Sequence, residues 1–258
     1  MAITTGEPRL LIAIANDITL YRSNGSMLWT ETLSQSSRAM AYYYRKNRIY
    51  LGTNPVTSIQ LDGGDNQTHG TNYSGTILGM SIDECRDLIY LSVSGDRVVK
   101  MTSDGTWTIM APDLEVSKPR QNQLNLEDNV LYWADEGFKT MKSVKTNEAS
   151  PVTTMFTSTS TVWGMDVDIP AQRIYWCAKS TGDVWVFDMS TSTNTQLVPN
   201  GGPVSGSCSG LRLYNDYIYL IYYRHGYVEK RSKDGLLVEK LLDGVIPGAK
   251  TKYMAIIE

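Results

Sequence analysis

The chain has 258 residues, 41% hydrophobic and 20% charged, and its 24 basic and 27 acidic residues leave a net charge of −3. That is bulk enough for a substantial core, with no basic excess to meet a phosphate backbone, which excludes a nucleic-acid surface. No apolar run reaches the roughly 20 residues of a membrane-spanning helix, and no block of like charge forms an acidic or basic tail.

In chain order, the first element is Arg9-Leu10-Leu11-Ile12-Ala13-Ile14. No basic region precedes it, so it reads as a strand and not as a targeting peptide. A hairpin turn follows at Asn24-Gly25, where Gly readily takes positive φ. The alternating stretch Arg38-Ala39-Met40-Ala41-Tyr42 comes next, then Ile49-Tyr50 and a turn at Asp62-Gly63. The same unit recurs as Leu78 to Asp83, Ile89-Tyr90 and Asp104-Gly105. It returns as Gln123 to Glu127, Leu131-Tyr132 and a turn near Asn147, and again as Gly164 to Asp168, Ile174-Tyr175 and a turn near Asp188. The last full copy is Gly210 to Tyr214, Ile218-Tyr219 and Asp234-Gly235. The chain closes on Tyr253-Met254-Ala255-Ile256-Ile257-Glu258.

From Tyr50 to Tyr219 the tyrosines are spaced by 40, 42, 43 and 44 residues. The first unit keeps only a degenerate copy, Leu11-Ile12, with Ile12 placed at the Tyr position. Its missing alternating stretch is the one found at the end of the chain. Four short strands in about 43 residues, repeated six times, predict an all-β fold. The expected architecture is one six-bladed β-propeller over 1–258, built of four-stranded antiparallel blades. The C-terminal strand is expected to pair with the N-terminal strands and close the ring, which removes exposed sheet edges.

Composition adds less. The 16 Tyr and 6 Trp against 3 Phe suit strand packing and also recognition surfaces. Cys85, Cys177 and Cys208 are odd in number, so at most one internal bridge forms; three small buried apolar residues are the alternative. The sequons at Asn24, Asn66 and Asn72 lean toward a secretory route.

The repeats resemble the YWTD, or class B, repeats of the low-density lipoprotein receptor family. Leu131-Tyr132-Trp133-Ala134-Asp135 is one residue from the motif. Ile174-Tyr175-Trp176-Cys177-Ala178 keeps Tyr-Trp, and Ile49-Tyr50, Ile89-Tyr90 and Ile218-Tyr219 keep the apolar-Tyr pair. The resemblance implies the propeller and a ligand-binding loop face. Five of the six copies lack the terminal Asp, which in that family helps to lock neighbouring blades, so another device must hold them here. No EGF-like module follows the repeats, which implies a stand-alone soluble recognition unit.

Catalytic motifs are absent: neither GxSxG, HExxH nor CxxC occurs, and the only histidines are His69, expected to be solvated, and His225. Asp83, Glu127, Asp168 and Glu258 are expected at equivalent strand ends as turn caps, with Asp166 facing the other way, toward the channel. Loops entering the inner strands and loops leaving the Tyr strands share one face. The ligand-binding candidates on that face are Arg38, Arg120, Asn122, Trp163, Asp135, Glu136, Phe138, Arg224, Tyr227 and Tyr253; Lys179 lies in the same loops. The expectation is a secreted recognition protein that does not catalyse a reaction. Its ligand would be a glycan or an extracellular protein, with no cofactor and no metal. The alternative is a calcium-dependent lactonase or esterase, which needs several acids or Asn converging in the channel.

Overall fold

A computed structural model describes residues 7–70, 74–95, 97–111, 114–199, 207–223, 225–245 and 251–257, the last segment by backbone alone at 251 and 252. The described residues form six four-stranded antiparallel sheets, the expected propeller. The inner strands of blades 1 to 6 are Thr251–Ile257, Met40–Tyr43, Ile77–Asp83, Pro119–Asn125, Val162–Asp168 and Cys208–Tyr214. Each pairs with the strand that follows it, except that Thr251–Ile257 pairs with Arg9–Ile14 from the start of the chain, Leu10 opposite Ile256 and Ile12 opposite Met254. The hairpin glycines sit at positive φ as their turns require, Gly25 at 87° and Gly105 at 88°.

Hydrophobic burial holds neighbouring blades together. Strand side chains alternate between the two faces of a blade, and each face is apolar. Six core clusters result, one in each gap between blades. Tyr50, Tyr90, Tyr132, Tyr175 and Tyr219 are all buried in these gaps. The sixth equivalent is Leu11, not Ile12. Leu11 pairs with Ala255 as Tyr50 pairs with Ala41 and Tyr90 with Ser81. With a period of two, the one-residue shift puts Ile12 on the other face, where it packs against blade 6.

A second register correction concerns the turn caps. Asp83, Asn125 and Asp168 occupy the last position of their inner strands. Asp83 Oδ1 accepts from Cys85 N and Arg86 N at 3.0 Å each, and Asn125 Oδ1 accepts from Glu127 N and Asp128 N at 2.9 and 3.2 Å. The cap in blade 4 is therefore Asn125, while Glu127 is an exposed donor in the turn it closes. Glu258 lies outside the described residues. His69 is also not a solvated loop residue: it stacks on Tyr50 at 4.8 Å and shares a 2.8 Å hydrogen bond with Ser58.

Neighbouring blades converge at the axis, so backbones approach closely there. A Cβ on Gly79 would stand 2.2 Å from the Arg120 carbonyl, and one on Gly164 would stand 3.0 Å from Leu211 N of blade 6 and 2.8 Å from Cys177 Sγ of its own blade. In two of the five blades that lack the motif Asp, the residue just before its position supplies a lock. In blade 3 that residue is Ser92, which accepts from Asn122 Nδ2 at 3.1 Å across the blade gap. In blade 5 it is Cys177, bonded to Cys208 of blade 6.

Replacing both Cys177 and Cys208 by Ala should lower unfolding stability by about 2–4 kcal/mol, the usual contribution of a bridge closing a loop of this order. A denaturant titration of the double variant beside the oxidised parent measures this. Ending the chain before Thr251 should replace the cooperative thermal transition by a broad one, read by circular dichroism, because blade 1 then lacks its inner strand.

Candidate functional site

The upper face, where the inner strands begin, gathers four of the expected residues around one indole. Trp163 is the second residue of its inner strand and stands half-buried beside the channel. The Arg120 guanidinium lies 4.6 Å from its ring centre and Lys179 Nζ lies 4.3 Å away. Both cations converge on Glu136. Lys179 Nζ donates to Oε1 at 2.7 Å, and Arg120 donates to Oε2 through Nε at 2.5 Å and also through Nη2. Tyr253 of the closing strand completes the group, electrostatically coupled to Arg120, Arg38 and Glu136.

The local sequence explains this placement. Arg120 and Trp163 sit at the irregular starts of their strands, where the inner-strand register shifts between Pro119 and Asn122 and between Val162 and Gly164. Such bulges re-aim side chains. Glu136 and Lys179 each follow the last residues of second strands, Val130–Asp135 and Arg173–Ala178. Burial opposes ionisation of Glu136, but hydrogen bonds from Lys179 and Arg120 outweigh it and hold the carboxyl below the usual 4.5. Cation–π attraction adds on the order of 1–2 kcal/mol per partly desolvated cation.

Other candidates stand elsewhere. Asn122 and Asp135 are fully buried and are corrected from face residues to blade locks. Asn122 accepts from Ser81 Oγ at 2.7 Å and donates to blade 3, while Asp135 accepts from Ser117 N at 2.8 Å and Phe138 N at 3.1 Å. Being the motif's only surviving Asp, Asp135 pins the linker from blade 3. Burial pushes its carboxyl above the usual carboxylate range, against the pull of those N–H donors. Phe138 is 46% exposed, with Lys142 Nζ 4.4 Å from its ring centre. Tyr227 lies on blade 6, with the His225 ring tilted against it at 5.1 Å and Lys240 over its face. Arg38 is exposed, and Arg224 lies outside the described residues.

The channel carries more polar side chains than the sequence predicts. Asp166 faces it as expected, but so do Gln121, Gln123 and Arg212. Gln121 Nε2 donates across the axis to the Leu211 carbonyl at 2.6 Å. With Tyr253 and Trp163 it narrows the upper channel to a cavity of about 20 Å³, which opens below into one of about 440 Å³. Among the described residues no three acids, histidines or cysteines gather in one place. Asp166 and Arg212 are neighbours in the channel wall, with Glu84 also lining the lower cavity.

No family model matches the chain, and no curated protein matches it. Among solved structures, a chain of a nidogen/laminin complex superposes with a TM-score of 0.82 at 14% identity, covering 96% of this chain and 98% of that one. Streptogramin B lyase superposes with a TM-score of 0.69 at 13% identity, covering 94% and 85%. At these identities both likenesses show the fold alone. The second corrects the expectation that the chain is no enzyme: a lyase is built on the same architecture, so the propeller does not exclude catalysis.

The Glu136 carboxyl is depressed in the folded state, so its contribution to stability is present above pH 4.5 and is lost as pH falls through the lower folded value. Thermal melts across that range should show Glu136→Gln less stable than the parent by about 2 kcal/mol near neutrality. The two should converge in acid.

Proposed function

We propose that this chain is an extracellular recognition protein whose upper face binds a protein ligand through Trp163, Arg120, Glu136 and Lys179, with Tyr253 and Arg38 at the channel rim. One observation carries the reading. A half-buried indole has two cations against its ring, and both share one carboxylate. Such a group has little rotamer freedom left to lose, and aromatic–Arg clusters in part-desolvated settings are the usual energetic centres of protein interfaces.

A protein ligand is favoured over a glycan by the same geometry. Sugar recognition stacks a pyranose on a free aromatic face, and here Arg120 and Lys179 already occupy the Trp163 ring. The likeness to a propeller of a nidogen/laminin complex supports the choice and agrees with the YWTD resemblance. The Cys177–Cys208 bridge supports an oxidising compartment. Asn24 and Asn66 are exposed, as glycosylation acceptors must be; Asn72 lies outside the described residues.

A surface-plasmon-resonance screen against secreted proteins and ectodomains, with a glycan array in parallel, tests the proposal. Trp163→Ala and Arg120→Ala, each checked by circular dichroism to be folded, should weaken binding to the protein hit at least about tenfold. Glycan binding without any protein hit would overturn it, as would protein binding indifferent to both substitutions.

A further inference from the structure

Beneath the Gln121–Tyr253 constriction, one residue of each inner strand lines the 440 Å³ cavity at the same height. It is the residue paired with the motif Tyr or its counterpart. Round the ring these are Ala255, Ala41, Ser81, Gln123, Asp166 and Arg212. The ring is therefore two-sided. Alanines from blades 1 and 2 leave room on one side, next to Met80 and Ile256. Asp166 and Arg212 stand side by side on the other.

Those two charges are not spent on each other. Burial opposes the charge of each more than their mutual attraction favours it, and no salt bridge joins them. Asp166 accepts from Val167 N at 2.8 Å and Leu213 N at 2.9 Å, which leaves lone pairs free on each oxygen. Arg212 Nη1 is buried without a hydrogen-bond partner. A guanidinium carries five donors, and burying one unmet is costly. The other charged residue lining this cavity, Glu84, is engaged by Tyr44 N and Arg45 N.

A lone anion would meet Arg212 but be repelled by Asp166 and Glu84, and a lone cation would be repelled by Arg212. A molecule bearing both charges a few bonds apart satisfies both sides at once. The volume suits a small ligand, and the alanine side takes an apolar substituent. We propose that the lower channel cavity binds a small zwitterion of the α-amino-acid type, its carboxylate on Arg212, its ammonium on Asp166 and its side chain toward Ala41 and Ala255. The site is separate from the upper-face cluster and does not depend on the function proposed for it.

Isothermal titration calorimetry with leucine and methionine, beside 4-methylpentanoate and isoamylamine, tests this on the whole chain. At least one amino acid should bind the parent, and the single-charge analogues should bind at least about tenfold more weakly. Arg212→Met and Asp166→Asn should each cost at least about tenfold in affinity, while Leu114→Ala, at an exposed position away from the channel, should leave it unchanged. Ala41→Leu fills the apolar side without touching either charge and should weaken binding similarly, which guards against a charge variant that fails to fold. Silence of both amino acids on the parent would overturn the proposal. So would equal binding of 4-methylpentanoate or isoamylamine, or full affinity in folded Arg212→Met or Ala41→Leu.

Discussion

Antiparallel pairing between Thr251–Ile257 and Arg9–Ile14 is the constraint from which the rest of the molecule follows. A blade lacking its inner strand presents an unpaired backbone at the axis, where five other inner strands converge. Supplying that strand from residues 251–257 joins it to residues 9–14 in one sheet, and among the described residues no blade is left open. It also brings Tyr253 to the channel mouth beside Arg120, 133 positions earlier in the numbering. The closure that stabilises the ring therefore also completes the upper face.

Crowding at the axis dictates what the inner strands carry. Where they approach most closely, Gly79 and Gly164 are required because a side chain would strike the neighbouring backbone or Cys177. One layer lower the ring widens and takes side chains from alanine to arginine. Farther from the axis, large tyrosines and tryptophans fill the gaps between blades, Trp133 and Trp176 among the largest buried side chains. The blade locks follow the same geometry. Asp135, Ser92 and Cys177 occupy neighbouring positions of equivalent second strands and reach the adjoining linker or inner strand by an ion–dipole contact, a hydrogen bond and a covalent bond respectively.

The fold accommodates both a partner-bound propeller and a lyase among its structural neighbours, so function here rests on sites rather than on architecture. The two sites differ in kind. On the upper face both cations that lie against Trp163 find a partner in Glu136, and the result is a stiff, amphipathic surface. In the lower channel charge is left unsatisfied, with Arg212 Nη1 buried and unmet. A stiff, self-satisfied surface suits a macromolecular contact, whereas an unmet buried charge suits a small ligand that can enter and supply the missing partner.

The propeller, its six units and the strand-swapped closure were legible in the sequence because strand alternation and turn glycines are local signals repeated six times. Register was legible only to within a residue or two. Leu11 and Asn125 were misplaced because a degenerate copy offers no tyrosine, and Asn caps a turn as well as Asp. Arg120, Glu136 and Trp163 were assigned to one face from topology alone. Their convergence was not readable, since it depends on strand-start bulges and on the angle between blades. Nor was the burial of Asn122 and Asp135, polar residues whose partners come from other blades. The ring from Ala41 to Arg212 escaped notice because its members share nothing in composition, only a height along the axis. Sequence thus determined which strands form and how many blades they make, because those depend on near neighbours in the chain. Tertiary structure alone decided which charges meet and which stay unmet, because residues about forty positions apart are brought together only when the blades close around the axis.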